Sequence, residues 1–391
     1  MRTRITAAAT SLLLAIPALA QDAGHDGKFF LAGADAAFRL NVAGQSQTRY
    51  NLNFRDTDDD ADEDFTNGFH LRRTKLDFNG SIIEKNLTYR FVGAFSRSGG
   101  SFSLEDAWGD YKLDNGVAFR WGQFKLPLLR EESISSKQQL AADRSVVNET
   151  FNQDYSQAVE ARYDSDAWRL KGAISDGLGS RNTAYTDPAE ADVALTARAE
   201  LRLGDAAWKL HDDYTSFQGQ DTGALLGGAI HWQTSGSTAN ADTFSGAASP
   251  EIDAITYTCD ASYEGSGWSL ACAFVWRWTD SSAAADEWDD LGLLAQGALF
   301  VSDDTELFAR WDAILPDDDR ASSDEFHTLT AGFNHYFVPE SHAAKFTADI
   351  QYFFNDLAGS SSIVKANEGI GLLGSSDDGE LAIRLQMQLL F

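Results

Sequence analysis

The sequence predicts an all-β chain, a closed transmembrane antiparallel β-barrel of about 16 strands with short turns at one end and long loops at the other. Three observations carry this reading. Side chains alternate between apolar and polar in segment after segment from Phe38 to Phe391, and the connections between segments alternate between short and long. No segment after residue 20 approaches 18 uninterrupted apolar residues, which excludes a helical crossing.

The first twenty residues read as a cleaved signal peptide. Arg2 and Arg4 precede a short apolar centre, Leu12 to Ile16, and Ala18-Leu19-Ala20 is a small-x-small cleavage site. Residues 21–36 form a periplasmic N-terminal segment, and 37–391 the barrel, placed in the bacterial outer membrane. Cleavage leaves 29 Lys and Arg against 59 Asp and Glu, a net charge of −30. A phosphate-binding footprint is basic, so nucleic acid is excluded as a partner. A soluble chain of 391 residues would be expected to divide into domains, yet no linker interrupts the repeated strand-and-turn pattern.

The first strand is the clearest. Phe38, Leu40, Val42, Tyr50, Leu52 and Phe54 alternate with Arg39, Asn41, Gln45, Gln47, Arg49, Asn51, Asn53 and Arg55. Similar alternation returns at 87–95, 117–121, 168–174, 193–203, 226–232, 255–263, 268–276, 293–301, 307–313, 329–333, 346–354 and 381–391. Strands at 69–80, 103–113 and 157–164 alternate less well. Loops at 56–67, 126–156, 175–191, 235–252, 278–290, 315–325 and 355–378 are long. A seventeenth candidate at 206–216 would make the count odd, whereas single-chain bacterial barrels are even. Charges in Trp208-Lys209-Leu210-His211-Asp212-Asp213 break its dry face, so 204–223 is assigned to a connection. Aromatic residues near strand ends suit the lipid interfaces, and Phe391 closes an amphipathic strand of the kind read by the outer-membrane assembly machinery.

Parity places Arg39, Arg49, Arg55, Lys75, Arg90, Arg120, Arg169, Lys171, Arg198, Arg202, Arg277, Arg310 and Arg384 on the wet face. Fewer acids share it: Asp77, Glu160, Glu200, Asp260, Glu306, Asp312 and Asp349. A lumen leaning basic would bias a pore towards anions, unless the charges cancel in cross-strand pairs. Loop 126–156 is the candidate constriction. Around it Lys125, Arg130, Lys137 and Arg144 oppose Glu131, Glu132, Asp143 and Glu149, a balance that suggests a transverse field.

The acidic run from Asp56 to Asp64 fails the EF-hand pattern, with Ala61 at the sixth position and Asn67 at the twelfth. It reads as a solvated loop or a loose divalent-cation bridge. If Tyr263 faces Trp268 across a short turn, Cys259 faces Cys272, leaving a disulfide or two free thiols open. Seven scattered His give no metal spacing, and no nucleophile elbow is present, so neither enzyme, metal nor cofactor is expected.

Four stretches resemble the phosphate-selective porin O and P family: Gly27-Lys28-Phe29-Phe30-Leu31 before Phe38-Arg39-Leu40; Arg72-Arg73-Thr74-Lys75-Leu76 with Gly80; Leu104-Glu105-Asp106-Ala107-Trp108 with Tyr111; and Gly122-Gln123-Phe124-Lys125-Leu126-Pro127 with Glu131. The resemblance implies a sixteen-stranded homotrimeric porin whose third outer loop, here 126–156, folds inward. The acidic outer loops depart from the family's anion-selective members. The expected function is passive diffusion of small hydrophilic solutes with a weak to moderate preference for anions, phosphate among them. The competing class is a non-conducting structural or adhesive barrel whose acidic loops bind cations. A barrel hydrolase with a site assembled from distant strands is a third.

Overall fold

The computed structural model describes residues 22–25, 28–33, 37–56, 65–97, 99–185, 190–234, 252–281, 286–320, 324–357, 362–374 and 379–391. The signal segment 1–20 and nearly all of the acidic run 56–64 lie outside these.

A short hairpin, β1 (Asp22–His25) and β2 (Phe29–Ala32), lies against the start of the wall. The wall itself is β3 (Arg39–Arg55), β4 (Phe65–Ile82), β5 (Glu84–Phe95), β6 (Phe102–Lys112), β7 (Val117–Lys125), β8 (Tyr155–Asp164), β9 (Trp168–Ser175), β10 (Val193–Gly204), β11 (Gly223–Thr234), β12 (Ile252–Gly265), β13 (Trp268–Ser281), β14 (Asp286–Phe300), β15 (Thr305–Leu315), β16 (Phe326–Tyr336), β17 (Ala344–Phe353) and β18 (Glu380–Leu390). Each pairs antiparallel with the next, and β18 returns to β3 through Glu380↔Arg55 to Leu390↔Gln45. These sixteen strands close, as a barrel in hydrocarbon must, because no edge can be left without hydrogen-bond partners.

At the seam the Gly44 N–H donates to the Phe391 carbonyl at 2.7 Å and the Phe391 N–H to the Gly44 carbonyl at 3.2 Å. The Phe391 ring lies over Gly44, where a Cβ would sit 2.1 Å from it.

Burial is inverted relative to a soluble protein. Phe69 is 84% exposed on the outer face, while Arg49 and Arg384 are at most 1% exposed inside. The count is sixteen, as the demotion of 206–216 required, and 204–223 is a connection, carrying only the one-turn helix α3 (Trp208–His211). It folds inward, burying Leu210, Tyr214 and Phe217.

Two expectations are corrected. Residues 278–290 are mostly strand, since β13 runs to Ser281 and β14 begins at Asp286. The β12–β13 turn is two residues, Ser266 and Gly267, with Gly267 at φ +79°, so Gly265 rather than Tyr263 faces Trp268. That moves the register by two residues. Cys259 faces Phe274, Cys272 faces Ala261, and both thiols are free on the exposed outer face.

Two of the three weakly alternating strands, β4 and β6, contain bulges. Arg73 pairs with Gln47 and Leu71 with Thr48, leaving Arg72 as an extra residue. Asp106 pairs with Val92 and Leu104 with Gly93, leaving Glu105 extra. An extra residue lets two neighbours share one face, and both Arg72-Arg73 and Glu105-Asp106 face the lumen. Alkylating the unfolded chain without reductant should label both thiols; a protected pair would contradict the β12–β13 register.

Candidate functional site

Loop 126–154 lies inside the barrel. The preceding strand, β7, holds Gly122, whose φ of +117° and close approach to the Ala107 carbonyl (2.2 Å from an added Cβ) suit glycine alone. The loop carries two short helices, α1 (Arg130–Ser133) and α2 (Val146–Phe151), the second capped by the Ser145 hydroxyl accepting from the Asn148 N–H at 2.9 Å.

Its apolar face is held by an apolar patch on the inner wall. Leu129, Val146, Val147 and Phe151 pack on Val275, Ile314, Phe326 and Phe353, with Ile370 and Leu372 of the 354–379 loop completing the cluster. Ile134, Leu140 and Ala141 pack on Ala298, Phe308 and Tyr214, the last from the inward-folded 205–222 connection. Each such side chain removed from water contributes about 1.5–3 kcal/mol.

Backbone carbonyls of the loop need donors, and lumenal arginines supply them. Arg310 donates to Asp143 O at 2.9 Å, Arg277 to Phe151 O at 2.8 Å, Arg198 to Leu128 O at 3.1 Å, and Arg49 to Ala142 O and Gly369 O, each at 2.7 Å. Arg384 holds Ile370 O at 2.7 Å and Arg55 holds Gly374 O at 2.9 Å. The wet-face arginines, which parity left open between a basic lining and mutual cancellation in ion pairs, thus divide into two groups. Arg49, Arg198, Arg277, Arg310 and Arg384 are buried anchors, and only part of the basic set faces water.

The strongest anchor is Asp143, fully buried and reached by Arg72 at 2.5 Å, Arg73 at 2.7 Å and Arg49 at 3.0 Å. Burial alone would push this carboxyl up. Arg72, Arg73 and Arg49 outweigh it and hold it well below the usual carboxylate range. Arg130 is buried against Glu264 (3.2 Å) and His211 O (2.8 Å), and Glu131 accepts from the Ser145 N–H at 2.9 Å. Of the eight charges read as a transverse field, Arg130, Glu131 and Asp143 thus hold the loop, while Lys125, Glu132, Lys137, Arg144 and Glu149 line open space.

That space is a cavity of about 670 Å³ between the loop and the wall from β4 to β9. Thirteen Arg and Lys line it against nine Asp and Glu, in a protein whose overall charge is −28. Lys75, Arg90, Arg120, Arg169 and Lys171 are there as parity predicts. Arg72, Arg73, Arg97, Arg162 and Arg181 join them, two of them through the bulge in β4. Most are engaged: Lys75 with Glu105 at 2.5 Å, Arg90 with Asp77 at 2.8 Å and Asp106 at 3.4 Å, Arg120 and Arg162 with Asp110, Lys125 and Arg144 with Glu132, and Arg169 with Asp212 at 2.6 Å. Although Glu132 is buried, Arg144 and Lys125 bring its carboxyl down to about 2.

A second cavity of about 790 Å³ opens at the short-turn end, lined by Lys28, Arg39, Lys85, Arg90 and Lys137, with Asp77 as its acid. The two share Asp77, Arg90, Trp108, Ser135 and Lys137, which mark the narrow stretch. Among the described residues of this stretch, Lys137 forms no ion pair. No cluster that could hold a metal is found among the described residues.

Two outcomes follow from this geometry. Asp143→Ala leaves three guanidinium groups facing one another; removing one partner of a buried pair costs about 3–5 kcal/mol. It should lower the melting temperature and raise single-channel conductance as the loop loosens, and unchanged conductance would show that the loop is held without this carboxylate, by its apolar packing and the arginine-to-carbonyl bonds. Glu149, half-buried near Asp143 and accepting from Asn367 at 3.0 Å, has its carboxyl pushed up to about 7, by desolvation first and then by the Asp143 carboxylate. Protonation below that pH removes a negative charge from the lining. The anion-to-cation permeability ratio should rise from pH 8 to pH 5.5, and Glu149→Gln should flatten the rise.

The family model for phosphate-selective porin O and P matches residues 42–355. No curated protein matches the sequence. Among solved structures, an anion-selective porin from Comamonas acidovorans is similar at 12% identity, with 90% of this chain and 99% of that one covered and a TM-score of 0.60. The outer membrane channel DcaP of Acinetobacter baumannii is similar at 12% identity, 90% and 97% coverage and a TM-score of 0.59. The trimer form of OmpT, an outer membrane protein of Vibrio cholerae, is similar at 14% identity, 90% and 99% coverage and a TM-score of 0.56. At these identities the likeness speaks for the barrel. The family match, which spans most of the wall and all of loop 126–154, shows that the chain belongs to the phosphate-selective porin O and P family.

Proposed function

We propose that this chain is a passive diffusion porin of the bacterial outer membrane, without enzymatic activity, admitting small hydrophilic solutes with a weak to moderate preference for anions. The observation that carries the preference is Lys137, which projects from the inward loop into the narrow stretch without forming an ion pair. The surrounding lining supports it, with thirteen basic against nine acidic groups above and five against one below. A cation outside any ion pair in a partly desolvated passage attracts anions more strongly than it would in open water, and the Asp77 carboxylate of the same stretch keeps that preference moderate.

The ion pairs along the wall argue for weak selectivity rather than a phosphate filter. A filter for a doubly charged anion needs several free donors and no nearby carboxylates, whereas Asp77, Glu105 and Asp106 stand beside Arg90 and Lys75. Phosphate is therefore admitted as one small anion among others in this reading. A homotrimer is supported by the likeness to OmpT in its trimer form. Insertion after signal cleavage, recognition of Phe391 by the assembly machinery and contact of the outer face with membrane lipid belong to the same reading; the broad exposure of Phe69, Val159 and Ile174 supports the last.

The test is the reversal potential across a planar bilayer in a salt gradient. Chloride should be preferred to potassium, and Lys137→Glu should lower the ratio several-fold or invert it, with a larger effect at low ionic strength. Cation preference in the unaltered protein would overturn the anion assignment. Absence of any conductance would favour the non-conducting structural or adhesive barrel.

A further inference from the structure

We infer that the narrow stretch favours anions carrying a flat apolar body, aromatic carboxylates above all, and that Trp108 is the residue that selects them. The inference rests on the pore reading and concerns the same stretch. Outward-facing tryptophans belong to the membrane interfaces, but Trp108 faces the water-filled side and lines both cavities. It stands on β6 between Arg90 of β5 and Gly122 of β7, its cross-strand partners on the two sides. Gly122 contributes no side chain, so the wall beside the indole is notched on that side.

The Arg120 guanidinium lies 4.2 Å from the Trp108 ring centre, and Arg120 is itself held by Asp110 at 3.2 Å. Lys137 reaches the same stretch from the loop. The indole therefore carries one fixed guanidinium against its ring and lines the same stretch as a cation that forms no ion pair.

The chemistry separates three kinds of anion. A small inorganic anion gains only from charge. A doubly charged one meets the Asp77 and Asp106 carboxylates as well. A monocarboxylate on an aromatic ring gains twice. Its charge is met by Lys137, and its ring stacks on the indole and on the guanidinium planes, which stack on aromatic faces as readily as they bind carboxylate.

The full chain reconstituted in planar bilayers can be tested with sodium salts of chloride, acetate, benzoate and phosphate. Benzoate should permeate faster than acetate despite its larger size. The benzoate-to-acetate ratio should fall several-fold in Trp108→Leu, although the wider passage left by the smaller side chain would by itself raise it, and be largely kept in Trp108→Phe. A ratio below one in the unaltered protein overturns the inference, and so does an equal ratio in all three proteins. If Trp108→Leu fails to fold, the unaltered protein and Trp108→Phe still decide through their ratios. Chloride preference over sodium with no benzoate advantage sinks this inference alone, whereas a lack of all conductance sinks the pore reading with it.

Discussion

Three guanidinium groups, from Arg49, Arg72 and Arg73, converge on the single buried carboxylate of Asp143, and the shape of the passage depends on that meeting. The two partners come from different kinds of structure. The arginines are carried by neighbouring wall strands, rigid because every backbone group there is bonded to a strand on either side. The aspartate is carried by a loop that has no sheet to belong to. Fixing it at its middle determines which loop side chains turn towards water and which are sealed against the wall. Lys137 and Glu149 lie on either side of this point, so their positions relative to Arg90, Trp108 and Asn367 follow from it.

The barrel interior is divided by chemistry as much as by the loop. From β12 round to β18 the inward positions offer the loop apolar contacts, Val275, Phe308, Ile314, Phe326 and Phe353, beside buried charges such as Arg277, Arg310 and Arg384 that bond to loop carbonyls. From β4 to β9 they are Lys75, Asp77, Arg90, Asp106, Arg120 and Glu160, which no apolar segment could cover without leaving charges desolvated. The loop thus has one side it can lie on. The channel occupies the other side because water, unlike protein, satisfies charges at no conformational cost. Buried arginines under the loop serve its carbonyl groups, several of them reaching two acceptors at once through the forked guanidinium, and the buried Lys345 serves one more, donating to Gln139 O at 2.9 Å.

Much of this was legible in the sequence. Period-two alternation located the strands, and evenness together with the charges that break the dry face at 208–213 removed 206–216 from the wall. The inward loop followed from its length and the motif before it. What escaped has a common physical cause. The bulges at Arg72 and Glu105 each shift the alternation by one residue, which in sequence looks like poor patterning rather than a device placing two charges side by side. Parity told which face Arg49 and Arg310 occupy, but the partners they serve are backbone carbonyls more than 90 residues away. The Cys259–Cys272 register failed by two residues because a glycine at positive φ tightened the turn. Trp108 was visible only as part of a family motif, since its side depends on the count across the bulge at Glu105.

The seam between Gly44 and Phe391 has a consequence for the order of assembly. Gln47 and Gln388, bonded across it, are 341 residues apart in the chain. Every other strand junction joins segments that follow one another, so the sheet can grow by local steps until this one contact remains. Until then two long edges of unsatisfied amide and carbonyl groups stand open, and in that condition the protein is as prone to pair with a neighbour as with itself. Sealing Phe391 over Gly44 is the step that turns a sticky sheet into an inert cylinder.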